Sequence, residues 1–127
     1  MIKQLASKDL EDYIKNNPKS VLIDVRTEEE WNFDGKPDGE KIGLKIHFLT
    51  IQFADKSFNE NFVEDFKKLN IQKDNEILTM CMGGVRSQAA AELLTKENYK
   101  CINISDGFLG NPENVGWKDS GLPYKKK

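Results

Sequence analysis

Between residues 77 and 94 a β-prone apolar run, Ile77-Leu78-Thr79-Met80, meets Cys81 and Met82 and turns at Gly83-Gly84. It then passes Val85, Arg86 and Ser87 and continues as the alanine-rich stretch from Gln88 to Leu94. A strand that reverses in a glycine pair and re-emerges as a helix restricts the architecture to βα packing, helix laid back on sheet. Gly83 and Gly84 lack a Cβ and can adopt positive φ, which turns loop N–H groups inward. A helix starting near Ser87 points its unpaired first N–H groups at the same spot. Together these donors stabilise a sulfur anion on Cys81. An ordinary free thiol, with a pKa of about 8.5, is only about 3% ionised at pH 7. A helix terminus alone contributes about 0.3 to 1 kcal/mol, so the loop amides and the Arg86 charge have to act with it.

The rest of the chain alternates in the same way. Ser7 is placed to cap a first helix carrying Leu10, Tyr13 and Ile14 at helical spacing, and Asn16-Asn17-Pro18 stops it. Val21-Leu22-Ile23-Asp24-Val25 is a short β-branched run, the signature of a strand buried on both faces, with Asp24 at its C-terminal edge. Thr27-Glu28-Glu29-Glu30 fits a capping box for a short second helix that carries Trp31 and ends near Gly35. Lys36-Pro37-Asp38-Gly39 is turn chemistry, and Leu44-Lys45-Ile46-His47-Phe48 alternates as a strand does, with His47 on its surface or rim. Phe58, Phe62, Val63, Phe66 and Leu69 predict one apolar face of a helix over 59–69, ahead of a strand at 76–80. Ala90, Leu93 and Leu94 face inward from the helix after the glycine loop, and a further strand spans 100–104. The alternation predicts an α/β fold: four to five strands in a mainly parallel sheet, covered by helices on both faces. Ligands of such sheets bind beyond the carboxyl ends of the strands. Asp24, Cys81 and the Ser105-Asp106-Gly107 turn all fall there. Segment 50–60 carries no recognisable motif and reads as a lid or a loop.

A chain of 127 residues supports one core of ordinary size, so residues 1–127 are expected to form a single domain with a basic tail at 124–127. Charged residues make up 31% of the chain and the formal net charge is −2, which argues against nucleic acid as the main partner. No apolar run approaches membrane-spanning length, and the N-terminus lacks the apolar region of a secretion signal, so a cytoplasmic location is expected. The lone histidine, with Cys81 and Cys101 outside zinc-site spacing, gives no reason to expect a metal or other cofactor. Cys101 reads as a small core residue, a resolving thiol being the alternative.

These residues, taken in order, resemble the single-domain rhodanese family of sulfurtransferases. The carriers are Leu22-Ile23-Asp24-Val25-Arg26 with Glu30-Trp31, the Cys81 to Ser87 loop with its helix, Asp106-Gly107-Phe108, and Trp117 with Gly121-Leu122-Pro123, a likeness running over about 5–123. The resemblance implies that Cys81 is the nucleophile and becomes a persulfide. It implies that Met82, Gly83, Gly84, Val85, Arg86 and Ser87 bind the substrate's anionic end. Asp24, Arg26, Glu30, Asp106 and Gly107 would support the site, Arg26 by pairing with Glu30. Asp24 reads either as a cap on backbone amides or as a participant in the chemistry. Partners so implied are a small anionic sulfur donor, thiosulfate or a persulfide, and an acceptor that is a thiol, cyanide or a protein thiol. Monomer and homodimer both stay open, as does a sulfur-carrier or regulatory role with little small-molecule turnover. Four residues separate Cys81 from Arg86, whereas the loops of related phosphatases and arsenate reductases place five there. The shorter loop favours sulfur over phosphate. Gly35 to Ile42 departs from the family's usual sequence, and Met82 and Val85 stand where many thiosulfate-using members carry basic residues.

Overall fold

Apolar runs bounded by turn residues become the strands, and the amphipathic stretches between them become the helices. The computed structural model describes residues 2–126. In chain order its elements are β1 (Lys3–Leu5), α1 (Leu10–Asn16), β2 (Ser20–Asp24), α2 (Glu28–Asp34), β3 (Lys36–Pro37), β4 (Lys45–Phe48), α3 (Phe62–Lys67), β5 (Glu76–Met80), α4 (Val85–Lys96), β6 (Lys100–Ile104), α5 (Gly116–Asp119) and β7 (Tyr124–Lys125). Five strands form one sheet in the order β1-β6-β5-β2-β4, and each neighbouring pair is parallel. The fold is the expected α/β class.

Side chains alternate across a strand, so the central strands feed two cores. On one face Leu22, Leu78, Met80, Ile102 and Ile104 pack with Leu10 of α1 and with Phe108 and Trp117. On the other, Val21, Ile23, Ile77 and Cys81 pack with Phe62 and Phe66 of α3 and Ala90 and Leu94 of α4. Every residue of β2 is buried, as a strand covered on both faces requires. The register sets Asp24 beside Met80 and Thr79 beside Asn103, which brings the C-terminal ends of β2, β5 and β6 to one edge. Thr27 and Glu30 form the capping box in full: Thr27 Oγ1 accepts from Glu30 N–H, and the Glu30 carboxylate accepts from Thr27 N–H. No helix among the described residues is long and apolar enough to cross a membrane.

Several local expectations are corrected. Ser7 does not cap α1; it lies in a 3-10 turn, and its N–H and hydroxyl both donate to Asp106 Oδ1 at 3.0 and 2.9 Å. Helix α3 starts at Phe62 rather than near residue 59, and Phe58 is 57% exposed instead of joining the core. The reason is that segment 50–60 folds back on itself. Gln52 and Phe58 form an antiparallel bridge, Phe53 N–H donates to Ser57 O and Asn59 N–H to Ile51 O. The turn expected at 36–39 begins as strand β3, which pairs with β7, so the basic tail is anchored through Tyr124 and Lys125; Lys127 lies outside the described residues. Among these residues, Trp117 and Phe108 are fully buried core, and Trp117 Nε1 donates to Pro123 O.

Asp106 holds the start of α5 to the N-terminal segment, since its Oδ2 accepts from Gly116 N–H at 3.0 Å while Oδ1 takes both Ser7 donors. Truncation strands two buried N–H groups. Asp106→Ala is expected to lower unfolding free energy by about 2 to 4 kcal/mol, and Asp106→Asn, which keeps one acceptor, by less. Urea denaturation midpoints of the two variants distinguish these values; equal, small losses would contradict the assignment.

Candidate active site

Strand β5 ends at Met80, and Cys81 is the next residue, 1% exposed, at the junction with α4. The helix starts at Val85, two residues before the expected position. Gly84 N–H donates to Cys81 Sγ at 3.1 Å, and Ser87 Oγ lies 3.3 Å from the same sulfur. The Gly84 N–H is a donor to the sulfur, while the single Ser87 hydroxyl proton is directed to Asn103 Oδ1. Only one of the two glycines carries the reversal: Gly84 has φ of 106°, while Gly83 lies outside the positive-φ region. A Cβ on Gly84 would collide with the backbone oxygen of Ser105, and one on Gly107 with that of Met82. These two close approaches let the 105–109 turn brace the loop. Phe108 N–H donates to Cys81 O at 2.8 Å and Leu109 N–H to Met82 O at 3.1 Å. The loop carbonyls are thereby directed to the turn.

Ser87 is also within hydrogen-bond distance of Asn103 Oδ1. Asn103 Nδ2 donates to Gly84 O and to Gln4 Oε1, and Thr79 Oγ1 donates to Ser87 O. Sequence reasoning passed over Asn103. Its signal was a lone amide between Ile102 and Ile104, because a polar group buried in an apolar strand requires partners.

The charged residues pair differently from expectation. Arg26 does not meet Glu30. Its Nε and Nη2 donate to the Asp24 carboxylate at 2.9 to 3.2 Å, its backbone N–H donates to Asp24 Oδ1, and Nη2 also reaches Gly35 O. Both side chains are wholly buried. Arg26 Nη1 finds no acceptor among the described residues, but the guanidinium lies 4.1 Å over the Phe108 ring. Burial pushes the Asp24 carboxyl upward and Arg26 pulls against it. Asp24 therefore belongs to a buried ion pair. Glu30 pairs instead with Arg86, in a two-pronged contact of 2.7 and 2.8 Å. Burial alone would raise the Glu30 carboxyl, but bonds from Arg86 and Thr27 outweigh it and bring its pKa from 4.5 down to about 2.

Arg86 lies at the meeting of two hollows. One, of about 340 Å³, is lined by Thr27, Glu29, Glu30, Gln52, Phe53, Ala54, Lys56 and Arg86. The other, of about 180 Å³, is nearly all apolar, with Ile51, Phe58, Val85 and Ala89 in its wall. Val85 is 83% exposed. Of the loop residues, Gly84 and Ser87 lie against Cys81 Sγ, Val85 and Arg86 line the hollows, and segment 50–60 forms their far bank.

Asp106 and Gly107 act through the bracing turn rather than on the sulfur. Cys101 is remote. It pairs with Ile77, four residues upstream of Cys81, so the two thiols are separated by about 13 Å along the strands, beyond the ~7 Å Cα limit of a disulfide. Resolution of Cys81 by Cys101 is excluded by this geometry. Burial pushes the Cys101 thiol up to about 11.

The Rhodanese-like domain family model matches residues 6–110. The chain belongs to the rhodanese-like domain family. It is 40% identical over 110 residues to the uncharacterized protein RP600 of Rickettsia prowazekii, covering 86% of this chain and 85% of that one. It is 23% identical over 124 residues to a protein of Allochromatium vinosum named sulfurtransferase, covering 97% and 94%. Among solved structures, Rv0390 of M. tuberculosis superposes with a TM-score of 0.85 at 30% identity, over 98% of both chains.

Two measurements follow from these electrostatics. At pH 7.5 the Cys101 peptide should react with iodoacetamide about a hundredfold more slowly than an unperturbed thiol, as read by mass spectrometry of digested protein. For Glu30 the folded pKa lies below the unfolded one, so its contribution to stability is complete above about pH 4.5 and disappears as pH falls through about 2. The difference in unfolding free energy between wild type and Glu30→Gln should shrink across that window and stay constant from pH 5 to 8.

Proposed function

We propose that this protein is a sulfurtransferase that carries a sulfane sulfur on Cys81. The observation that carries the reading is the Gly84 N–H donated to Cys81 Sγ at 3.1 Å, where strand β5 passes into α4. Its membership of the rhodanese-like family and its likeness to the A. vinosum sulfurtransferase support it.

The Cys81 thiolate attacks the outer sulfur of the donor, forming an S–S bond as the bond to the leaving group breaks. Thiosulfate releases sulfite; a persulfide releases a thiolate. The outer sulfur then carries the negative charge, held by the inward N–H groups of the loop. A thiol, cyanide or protein thiol attacks that sulfur and restores the Cys81 thiolate. Asp24 and Arg26 hold the strand end in place and take no part in bond exchange.

Phosphoryl chemistry is disfavoured. Only four residues lie between Cys81 and Arg86, and Arg86, the loop's own cation, is already engaged by Glu30. The exposed Phe53, Phe58 and Val85 beside the site favour a protein acceptor as a second reading, in which small-molecule turnover is slow.

Wild-type protein incubated with a sulfane donor should gain the mass of one sulfur atom on the Cys81 peptide, and cyanide should remove it as thiocyanate. Cys81→Ser should lose both the adduct and thiocyanate formation while keeping its unfolding midpoint. Persistence of either in Cys81→Ser would refute the assignment.

A further inference from the structure

Arg86 is the one cation placed by the Cys81 loop itself, since its neighbours are Met82, Gly83, Gly84, Val85 and Ser87. Each terminal nitrogen of its guanidinium donates one N–H to the Glu30 carboxylate, at 2.7 and 2.8 Å. That carboxylate is pinned in turn by the Thr27 N–H and hydroxyl, each at 3.0 Å, so it cannot follow Arg86 elsewhere. The hollow around Arg86 contains two cations, Lys56 and Arg86, and two carboxylates, Glu29 and Glu30. Its sum is neutral, and the adjoining hollow is apolar. The hollows beside the loop therefore carry no net positive charge, and apart from the paired Arg86 their one cation is Lys56 at the rim of the 50–60 segment.

We infer that Glu30 is a positioning residue for donor choice: by occupying Arg86 it turns the site against dianionic thiosulfate and towards persulfides of organic thiols. This rests on the sulfur-transfer reading above and deepens it. An organic persulfide brings its charge on the sulfur alone, and its carbon body fits against Ile51, Phe58 and Val85. The step balances as Cys81–S⁻ with R–S–SH giving Cys81–S–S⁻ and R–SH: the new S–S bond forms as the old one breaks, and the proton passes to the departing thiolate. Thiosulfate would instead have to place three sulfonate oxygens beside Glu29 and Glu30 with no unpaired arginine to receive them.

Glu30→Gln separates charge from structure, because glutamine also serves as the N3 residue of a capping box and preserves the bond from Thr27 N–H. Wild type, Glu30→Gln and Phe58→Ala are compared with thiosulfate and with benzyl persulfide, using cyanide as acceptor and mass spectrometry of the Cys81 peptide to count loaded sulfur. The wild type should favour benzyl persulfide in kcat/KM by about tenfold or more. Glu30→Gln should raise kcat/KM for thiosulfate by about ten- to a hundredfold, through KM, and leave benzyl persulfide within a few fold. Phe58→Ala, at an exposed position, should weaken benzyl persulfide alone. A preference unchanged in Glu30→Gln, a parallel fall with both donors, or a wild type that favours thiosulfate would each overturn this inference while leaving sulfur transfer intact. Failure of every donor to load Cys81 would overturn the sulfur-transfer reading and this inference with it.

Discussion

The buried pair between Asp24 and Arg26 is the interaction on which the rest of the site depends. Placing two opposite charges out of water costs several kcal/mol per ion, and mutual attraction offsets this only when the remaining donors are also satisfied. Here the offset is assembled from separate segments, and only Nη1 lacks an acceptor among the described residues. Arg26 fills both Asp24 oxygens, reaches Gly35 O at the end of α2, and stacks on Phe108 from the turn after β6. Thr50 Oγ1 donates to Arg26 O, which ties in the start of segment 50–60. One arginine therefore fixes β2, α2, the bracing turn and the far bank of the hollow relative to one another. Its contribution is to a single arrangement of loops more than to stability, since an apolar pair of similar volume avoids the desolvation altogether.

That arrangement explains how the Cys81 loop can present donors at all. A peptide loop has as many carbonyls as N–H groups, and turning the N–H groups inward requires partners for the carbonyls outside. The 105–109 turn supplies them, since Phe108 and Leu109 donate to the carbonyls of Cys81 and Met82. The turn approaches closely enough only because Gly84 and Gly107 lack a Cβ. Phe108, pressed under Arg26, sets the position of the turn.

Where the sequence was informative, the signal was local. The limits of β5 and β6 and the Thr27–Glu30 box follow from short runs whose meaning does not depend on distant residues. The ion pairs show where local reasoning stops. Arg26 and Glu30 have the spacing of a helical pair, but that rule applies only inside a helix, and α2 begins at Glu28. Arg26 stands before it, so its side chain returns to the strand end, and Glu30 is left to Arg86, 56 residues on. Phe58 misled in the same manner: its spacing suits a helix face, yet pairing with Gln52 commits its backbone to a bridge. Strand β1 is three residues long with only Leu5 buried, too little for any period to register.

The exchange of partners also changes the electrostatic character of the site. With Arg86 free, the loop would attract anions at long range, through a net charge that salt screens over about 8 to 10 Å. With Arg86 paired to Glu30, the backbone donor shown at the sulfur is the Gly84 N–H, whose dipole acts over a hydrogen-bond length and no further. A field of that range reaches an atom at Cys81 and gives little help to charge placed elsewhere on a ligand. The neutral hollow beside the loop is thus a consequence of one ion pair, formed because Arg26 was drawn to the strand end and Glu30 was not.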